Sequence, residues 1–454
     1  MTALRNGIVA PALCALTLLC GRAGAGPRPA PAAGGLPHRA FLGMGYRALT
    51  RAEADSLRLA GGGLLVSRLL PGGPAERSGV RAGDVIERLD GEPVPDEAAL
   101  RDRLRRRYEG DALQASVLRE GARRVFPMIA AAAPEEAADS LDIEYASFKS
   151  GGVRLRAVLA APRGSAGRRL PAVLMVSALG SPQLMATPGY SAGRQLAHDL
   201  AGAGFRVLRF ELRGAGDSEG EDFRTTDFET EVGDNVAAFD YLAGRPDVEP
   251  KRVFVYGHST GGMEAAVLAG RRSPAGLITS CTIGRTLLER MLETVRLQGQ
   301  LAGHSGAATD RAVTGYALLS AAILRGATAG ELQRDTTFAP YFNAAGRIMD
   351  DRTVEFWRQQ LSLPMAEAYE RVQCPTLVVW AASDFLTQRA CHERIRDVLV
   401  GAGNPDATLC VIPGADHAYS PARDFQEAWA NYQSRAFRRN PDAPVPLVEW
   451  LRRH

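Results

Sequence analysis

The sequence predicts an α/β protein, a mostly parallel eight-stranded sheet with a helical cap, preceded by a small α+β domain. Three observations lead there. Past residue 140, apolar strand-like runs alternate with helix-prone segments, the pattern of a sheet layered with helices. Between residues 61 and 91, glycine and proline punctuate short apolar runs closely enough to form a module of their own. The two parts are joined by Ala130–Ala138, alanine-rich with Pro134, Glu135 and Glu136, the composition of a linker.

The 454 residues carry 54 basic and 51 acidic side chains, and a net charge of +3 gives no reason to expect nucleic acid as a partner. A hydrophobic fraction of 46% excludes global disorder. At the start, Arg5 precedes an apolar run from Ile8 to Cys20, followed by Ala23-Gly24-Ala25. This reads as a secretory signal over residues 1–25, too short to span a bilayer, followed by a Pro/Gly/Ala-rich linker over 26–37. Export to the periplasm or medium is expected. Lipidation at Cys20 is a lesser reading, because the bulky Leu19 precedes it. No second long apolar run occurs, so no transmembrane anchor is expected. Cys281, Cys374, Cys391 and Cys410 would remain, allowing three connectivities between which the sequence does not choose. With no CxxC pair and no HExxH, neither a metal nor a cofactor is expected.

In the first domain, residues 38–130, Gly61-Gly62-Gly63 opens the strand-like run Leu64–Leu70, and Pro71-Gly72-Gly73-Pro74 forces a turn. A one-turn helix at 75–80, a strand near Val85-Ile86 and a hairpin at Asp90-Gly91 follow. Leu100, Leu104 and Tyr108 form the apolar stripe of an amphipathic helix, and Arg101, Arg103, Arg105, Arg106 and Arg107 read as its solvated face. The stretch resembles a PDZ domain of the kind found in bacterial exported proteases, most specifically over Leu69–Asp90. The resemblance puts the carboxylate-binding loop at Phe41, Leu42, Gly43 and Met44, where consecutive backbone N–H groups can hold a chain's C-terminus while a sheet edge pairs with it. Its implied partner is a peptide or protein C-terminus; a module used only for positioning is the alternative.

After a linker at 131–140, the second domain covers 141–454. Strands are expected at Ile143–Phe148, Val153–Ala160, Ala172–Ser177, Arg206–Glu211, Arg252–Tyr256, Leu277–Cys281, Thr376–Trp380 and Thr408–Ile412. Several are unbroken apolar runs, as parallel strands buried on both faces require. Helices fit Ala192–Ala203, Glu229–Leu242, Met263–Arg271, Cys391–Val400 and Phe425–Phe437. Residues 283–371 exceed what such a sheet needs, and Arg285–Leu297 and Ala312–Leu324 within them have helical spacing, so a cap is expected. Phe338, Tyr341, Phe342, Met349 and Phe356 are candidates to line a pocket beneath it or to pack it onto the core.

The chemistry is concentrated at Val253–Met263. An apolar strand enters Gly257-His258-Ser259-Thr260-Gly261 and a helix-prone run leaves it, a G-x-S-x-G sequence in a strand–turn–helix setting. Gly257 and Gly261 let neighbouring backbone approach, the bend lifts the Ser259 hydroxyl above the sheet, and the Thr260 N–H at the helix start can receive an oxyanion. A serine hydroxyl needs a base. Of the seven histidines, His258 adjoins the serine and is expected to point away, whereas His417 follows the last expected strand at the sheet edge where Ser259 sits. Asp384 follows the penultimate strand and reaches the same edge; Asp416 adjoins His417 and is expected to face elsewhere. The catalytic set is therefore Ser259, Asp384 and His417, with the carboxylate fixing the imidazole tautomer.

Residues 141–454 resemble the α/β-hydrolase superfamily, most closely its serine aminopeptidase-like and esterase-like branch. Phe210–Ser218 looks like that branch's D-x-R-G-x-G-x-S turn, with Glu211 in place of the usual Asp. Met175–Pro182 occupies the place of the oxyanion loop, where relatives often carry His-Gly and this chain has Ser177-Ala178; by position the second donor is the N–H of Leu179, with Ala178 as rival. The resemblance implies hydrolysis of small-molecule carboxylic esters through an acyl-enzyme. A peptidase recruiting substrates through the PDZ-like module is the second reading, and a binding protein with an inactive core the third.

Overall fold

The computed structural model describes residues 35–176, 191–343, 346–349, 351–434 and 436–454. The expected signal, Cys20, most of the 26–37 linker, and the loop carrying Ala178 and Leu179 lie outside these residues.

The first sheet is built from β1 (Met44–Ala48), α1 (Arg51–Ser56), β2 (Leu64–Leu69), α2 (Pro74–Arg77), β3 (Val85–Leu89), β4 (Glu92–Pro93), α3 (Glu97–Leu104), β5 (Ala112–Arg119) and β6 (Ala122–Ile129). Its strands run β1-β2-β3-β5-β6, all antiparallel, with β4 against β3. In β5, Leu113, Ala115 and Val117 are buried and alternate with more exposed neighbours, the two-residue period of a sheet covered on one face. Asp90 and Gly91 both take positive φ, the geometry of a tight hairpin. Two expectations change here. The helix ends at Leu104, and Tyr108 lies beyond it, where its ring underlies the Arg39 guanidinium at 4.8 Å. The arginine stripe is not simply solvated: Arg101 lies 3.9 Å from Asp351 and Arg105 lies 3.5 Å from Asp222, both outside this domain.

The second sheet has eight strands: β7 (Leu141–Ser150), β8 (Val153–Pro162), β9 (Leu170–Val176), β10 (Arg206–Phe210), β11 (Val248–His258), β12 (Gly276–Ser280), β13 (Thr376–Ala381) and β14 (Ala407–Ile412). The helices are α4 (Ala192–Gly202), α5 (Phe228–Ala243), α6 (Gly261–Arg271), the cap helices α7 (Leu287–Leu301), α8 (Gly306–Leu324), α9 (Ala329–Arg334), α10 (Val354–Ser362) and α11 (Met365–Glu370), then α12 (Arg389–Gly401), α13 (Phe425–Ser434) and α14 (Val445–Arg453). The order is β14-β13-β12-β11-β9-β10-β8-β7. It is parallel from β10 through β14, while β7 and β8 are antiparallel. Alternation along a strand sends side chains to opposite faces. Ala172, Leu174 and Val176 join the core under α5, α6 and the cap, while Val173 and Met175 join the core under α4 and α14. Helix α14 had no counterpart in the expected elements. Its Trp450 packs on Phe254 and against Gly276, where a Cβ would come within 2.6 Å of the indole.

The chain reverses direction around β9, whose neighbours are β10 and β11, and such a switch opens a crevice at the carboxyl ends of the strands. The two domains meet at that end. Arg224, 2% exposed, is bound by Asp222 of its own loop, by Asp102 of α3 and by Asp351 of the cap. His38 Nδ1 and the Arg39 N–H reach Asp217 at 2.8 and 2.7 Å. The connecting segment is tied down despite its linker composition: Glu136 pairs with Arg209 and His198 at 2.7 and 2.6 Å.

Candidate active site

Strand β11 ends in the elbow. Ser259 has φ +56, a region that a non-glycine residue occupies only under constraint. The constraint is visible: the Ser259 N–H donates to Ser280 O at 2.9 Å, and its carbonyl accepts from the Gly262 N–H at 3.0 Å and from the Thr282 hydroxyl at 2.5 Å. A Cβ at Gly257 would fall 2.5 Å from the Gly261 carbonyl oxygen, so only glycine allows α6 to turn back this tightly. Thr260 is the N-cap of α6 and buried.

His417 lies just past β14. The Asp416 carboxylate accepts from the N–H groups of Ala418 and Ser420 at 2.9 and 2.8 Å, shaping the turn and facing away from the His417–Asp384 contact. His417 Nδ1 is 2.9 Å from Asp384 Oδ2. Asp384 is fully buried and accepts from the Leu386 and Thr387 N–H groups at 2.8 and 3.1 Å and from the Thr387 hydroxyl at 2.5 Å. Burial works to raise its pKa, but the His417 imidazole and these hydrogen bonds outweigh that and hold the carboxyl below its ordinary value. The two loops are joined to each other: Ser383 donates its N–H to Ala415 O and its hydroxyl to Ala422 O.

His258 differs from expectation. Its ring centroid is 4.8 Å from that of His417, and its Nδ1 faces the Ser280 and Tyr256 hydroxyls at 3.2 and 3.4 Å. Burial, followed by the neighbouring His417 charge, lowers its pKa to about 3, so it packs as a neutral ring. Cys281 also goes beyond the sequence reading. It is buried with φ +46, and its sulfur groups with an Asp384 oxygen and a His417 nitrogen within 4.8 Å. Burial, then the Asp384 charge, pushes the thiol well above its usual value. These three are the one metal-capable cluster among the described residues, yet a metal would need a thiolate and would have to displace the hydrogen bonds already on Asp384. Cys281, Cys374, Cys391 and Cys410 are free thiols.

Ser259, Thr260, His258 and His417 open into one cavity of about 1660 Å³. Of the five cap candidates, Met349 lines it, while Phe356 is wholly buried against Phe228. Phe338, Tyr341 and Phe342 pack against the core. The remaining cap lining includes Arg290, Met291 and Thr294 of α7, Tyr316 of α8 and Trp357 of α10. The i, i+4 spacing of Leu287 and Met291 was legible as a helix face; that this face looks into the cleft was not. Phe41, Leu42, Gly43 and Met44 line the same cavity from the first domain.

A family model described as serine aminopeptidase, S33, matches residues 190–420, and one described as PDZ domain matches residues 40–127. In the PDZ region the chain is 37% identical over 87 residues to a "Probable periplasmic serine endoprotease DegP-like" of Halomonas elongata, covering 19% of this chain and 18% of that protein. It is 33% identical over 101 residues to an uncharacterized protein of Mycobacterium tuberculosis, covering 21% of this chain and 34% of the relative. The chain spans between a sixth and a third of the length of the curated relatives it matches. Among solved structures, the alpha/beta hydrolase GrgF from Penicillium sp. aligns over 69% of this chain and 99% of its own, with 18% identity and a TM-score of 0.43. Among the described residues, no helix is long and apolar enough to cross a membrane.

Proposed function

The chain belongs to the serine aminopeptidase S33 family of hydrolases, and we propose that it cleaves carboxylic esters or amides with Ser259 as nucleophile, His417 as base and Asp384 as the carboxylate behind it. The observation that carries this reading is the 2.9 Å hydrogen bond from His417 Nδ1 to a buried, ionised Asp384, in the cleft that Ser259 also lines. With Nδ1 committed, Nε2 is the nitrogen left to take the serine proton. Ser259 Oγ bonds to the carbonyl carbon, and the developing oxyanion is met by the Thr260 N–H at the start of α6. The second donor is assigned to Leu179 or Ala178. His417 then gives its proton to the departing alcohol or amine, and water, deprotonated by His417, releases the acyl group.

The His258 ring, tilted 52° against that of His417 at 4.8 Å and kept neutral by burial, gives the base a neighbour that does not compete for protons above about pH 3. Export is part of the reading, supported by the apolar N-terminal run and by the periplasmic description of the PDZ-region relatives. A fluorophosphonate probe is expected to label the wild type and not Ser259→Ala; an unlabelled but folded wild type would favour a binding protein. The peptidase reading is kept because the PDZ loop and the serine share a cavity.

A further inference from the structure

Strand β12 pairs in parallel with β11 on one side and β13 on the other, with His258 opposite Ser280 and Ser280 opposite Val379. The residues at its carboxyl end, Ser280-Cys281-Thr282, therefore run between the elbow and the loop that carries Asp384. All three are wholly buried. Packing alone asks for apolar side chains at such positions, because a buried polar group is costly unless it is hydrogen-bonded. Here all three are polar, and each reaches a different loop of the candidate site.

The Thr282 hydroxyl donates to Ser259 O, and the Ser280 carbonyl accepts the Ser259 N–H, so both backbone groups of the nucleophile residue are held by this segment. The Cys281 thiol hydrogen-bonds Asp384 and is itself fixed by the Ala381 backbone of β13, while the Cys281 N–H donates to Val379 O at 2.8 Å. The Ser280 hydroxyl lies 3.2 Å from His258 Nδ1 and hydrogen-bonds the hydroxyl of Tyr419, just past His417 in the same turn. His258 in turn hydrogen-bonds the His417 backbone. The His417 turn is thus reached from β12 at two points. The same loops carry backbone strain. Ser259, Cys281 and Tyr419 have φ of +56, +46 and +60, three of the seven non-glycine residues with positive φ among the described residues. Such conformations persist where the surroundings over-determine them, and here those surroundings converge on one tripeptide.

We propose that Ser280-Cys281-Thr282 is the positioning element of the triad: Thr282 sets the Ser259 elbow, Cys281 aims the Asp384 carboxylate at His417, and Ser280, through His258 and Tyr419, sets the His417 turn. The inference rests on the serine hydrolase reading and names the residues that give it its geometry. None of the three is among the residues lining the cavity, so they act through the triad and leave substrate binding unchanged.

The test uses the full chain, a fluorophosphonate probe and p-nitrophenyl acetate. Cys281→Ala is expected to lower the labelling rate and kcat about tenfold, with KM within about twofold of wild type. Cys281→Ser keeps a donor and is expected to recover most of that loss. In an Asp384→Asn background, Cys281→Ala is expected to lower the labelling rate by less than about twofold further, because the carboxylate it aims is already gone. Ser280→Ala and Tyr419→Phe cut one link, so each is expected to slow labelling about fivefold and the pair together no more than about fivefold. A Cys281→Ala protein with wild-type labelling and kcat but a lowered Tm has lost only packing, and overturns the inference. So does an equal loss in Cys281→Ser, a full tenfold loss on top of Asp384→Asn, or losses at Ser280 and Tyr419 that multiply. Should Cys281→Ala fail to fold, the Ser280 and Tyr419 pair decides alone. A wild type with neither labelling nor ester turnover overturns the underlying hydrolase reading as well.

Discussion

The two walls of the cleft are held in different ways. Ser259 and Asp384 follow β11 and β13, whose carboxyl-end side chains are buried on both faces, while His417 follows the edge strand β14, and hydrogen bonds from Ser383 to Ala415 O and Ala422 O join the last two loops directly. The PDZ wall belongs to a sheet covered on one face, with Val125 and Ile129 of β6 more than half exposed. It meets the hydrolase domain through ion pairs around Arg224 and Asp217. The proposed triad thus sits on the wall tied together by the sheet, and the PDZ wall is held to it by ion pairs. The parts that must hold a few tenths of an ångström sit where many strands cooperate.

That contrast can be broken from the rigid side with the largest effect. Asp384→Asn removes the charge behind His417 and favours the wrong tautomer, so a loss in kcat of about 10⁴-fold is expected, read with a p-nitrophenyl ester. Little change in kcat would dismiss Asp384 from the mechanism. On the adjustable side, Arg224→Met leaves Asp222 and Asp351 without their shared cation. It is expected to cost on the order of 3 kcal/mol of stability by denaturant unfolding, the range for breaking a buried pair. Asp102→Ala removes the partner with a half-exposed side chain from the same cluster, and under about 1 kcal/mol is expected. Equal losses for Arg224→Met and Asp102→Ala would show that the domain contact, rather than the buried charge, carries the energy.

A pH series sharpens the comparison where the two walls meet. Glu211 is raised to about 8 in the fold, whereas an unfolded glutamate titrates near its ordinary value. The folded state therefore binds the proton more tightly. Its contribution is full below the unfolded pKa, falls as pH rises and is lost by the time pH passes about 8. Glu211→Gln is expected to flatten the Tm profile between about pH 5 and 8, measured by calorimetry, and a wild-type profile already flat there would refute the assignment.

The strands of the second sheet were legible because parallel strands buried on both faces read as unbroken apolar runs, and the elbow because glycine is demanded at fixed spacing around Ser259. Local rules also reached Asp384 and His417, since each lies in the loop after its strand and parallel strands all end at one edge. The side chains of cap helix α7 that face the cleft were not legible: Arg290 and Met291 read as ordinary helix positions until the cap is folded over the sheet. The closeness of His258 to His417 is not legible either, because it depends on where the loop after β14 folds over the elbow.

By itself the sequence determined what short-range stereochemistry and burial demand: two sheets of different kinds, a bend that needs glycines, and a serine, an aspartate and a histidine placed just after strand ends. Only the tertiary structure decided that Arg101 of α3 and Arg105 just beyond it meet Asp351 and Asp222, that Cys281 lies beside Asp384, and that the PDZ turn shares a cavity with Ser259. Those contacts join residues more than a hundred positions apart or on different elements. Charge and apolar pattern along the chain are blind to such pairings, because their energy exists only once both partners have been brought together.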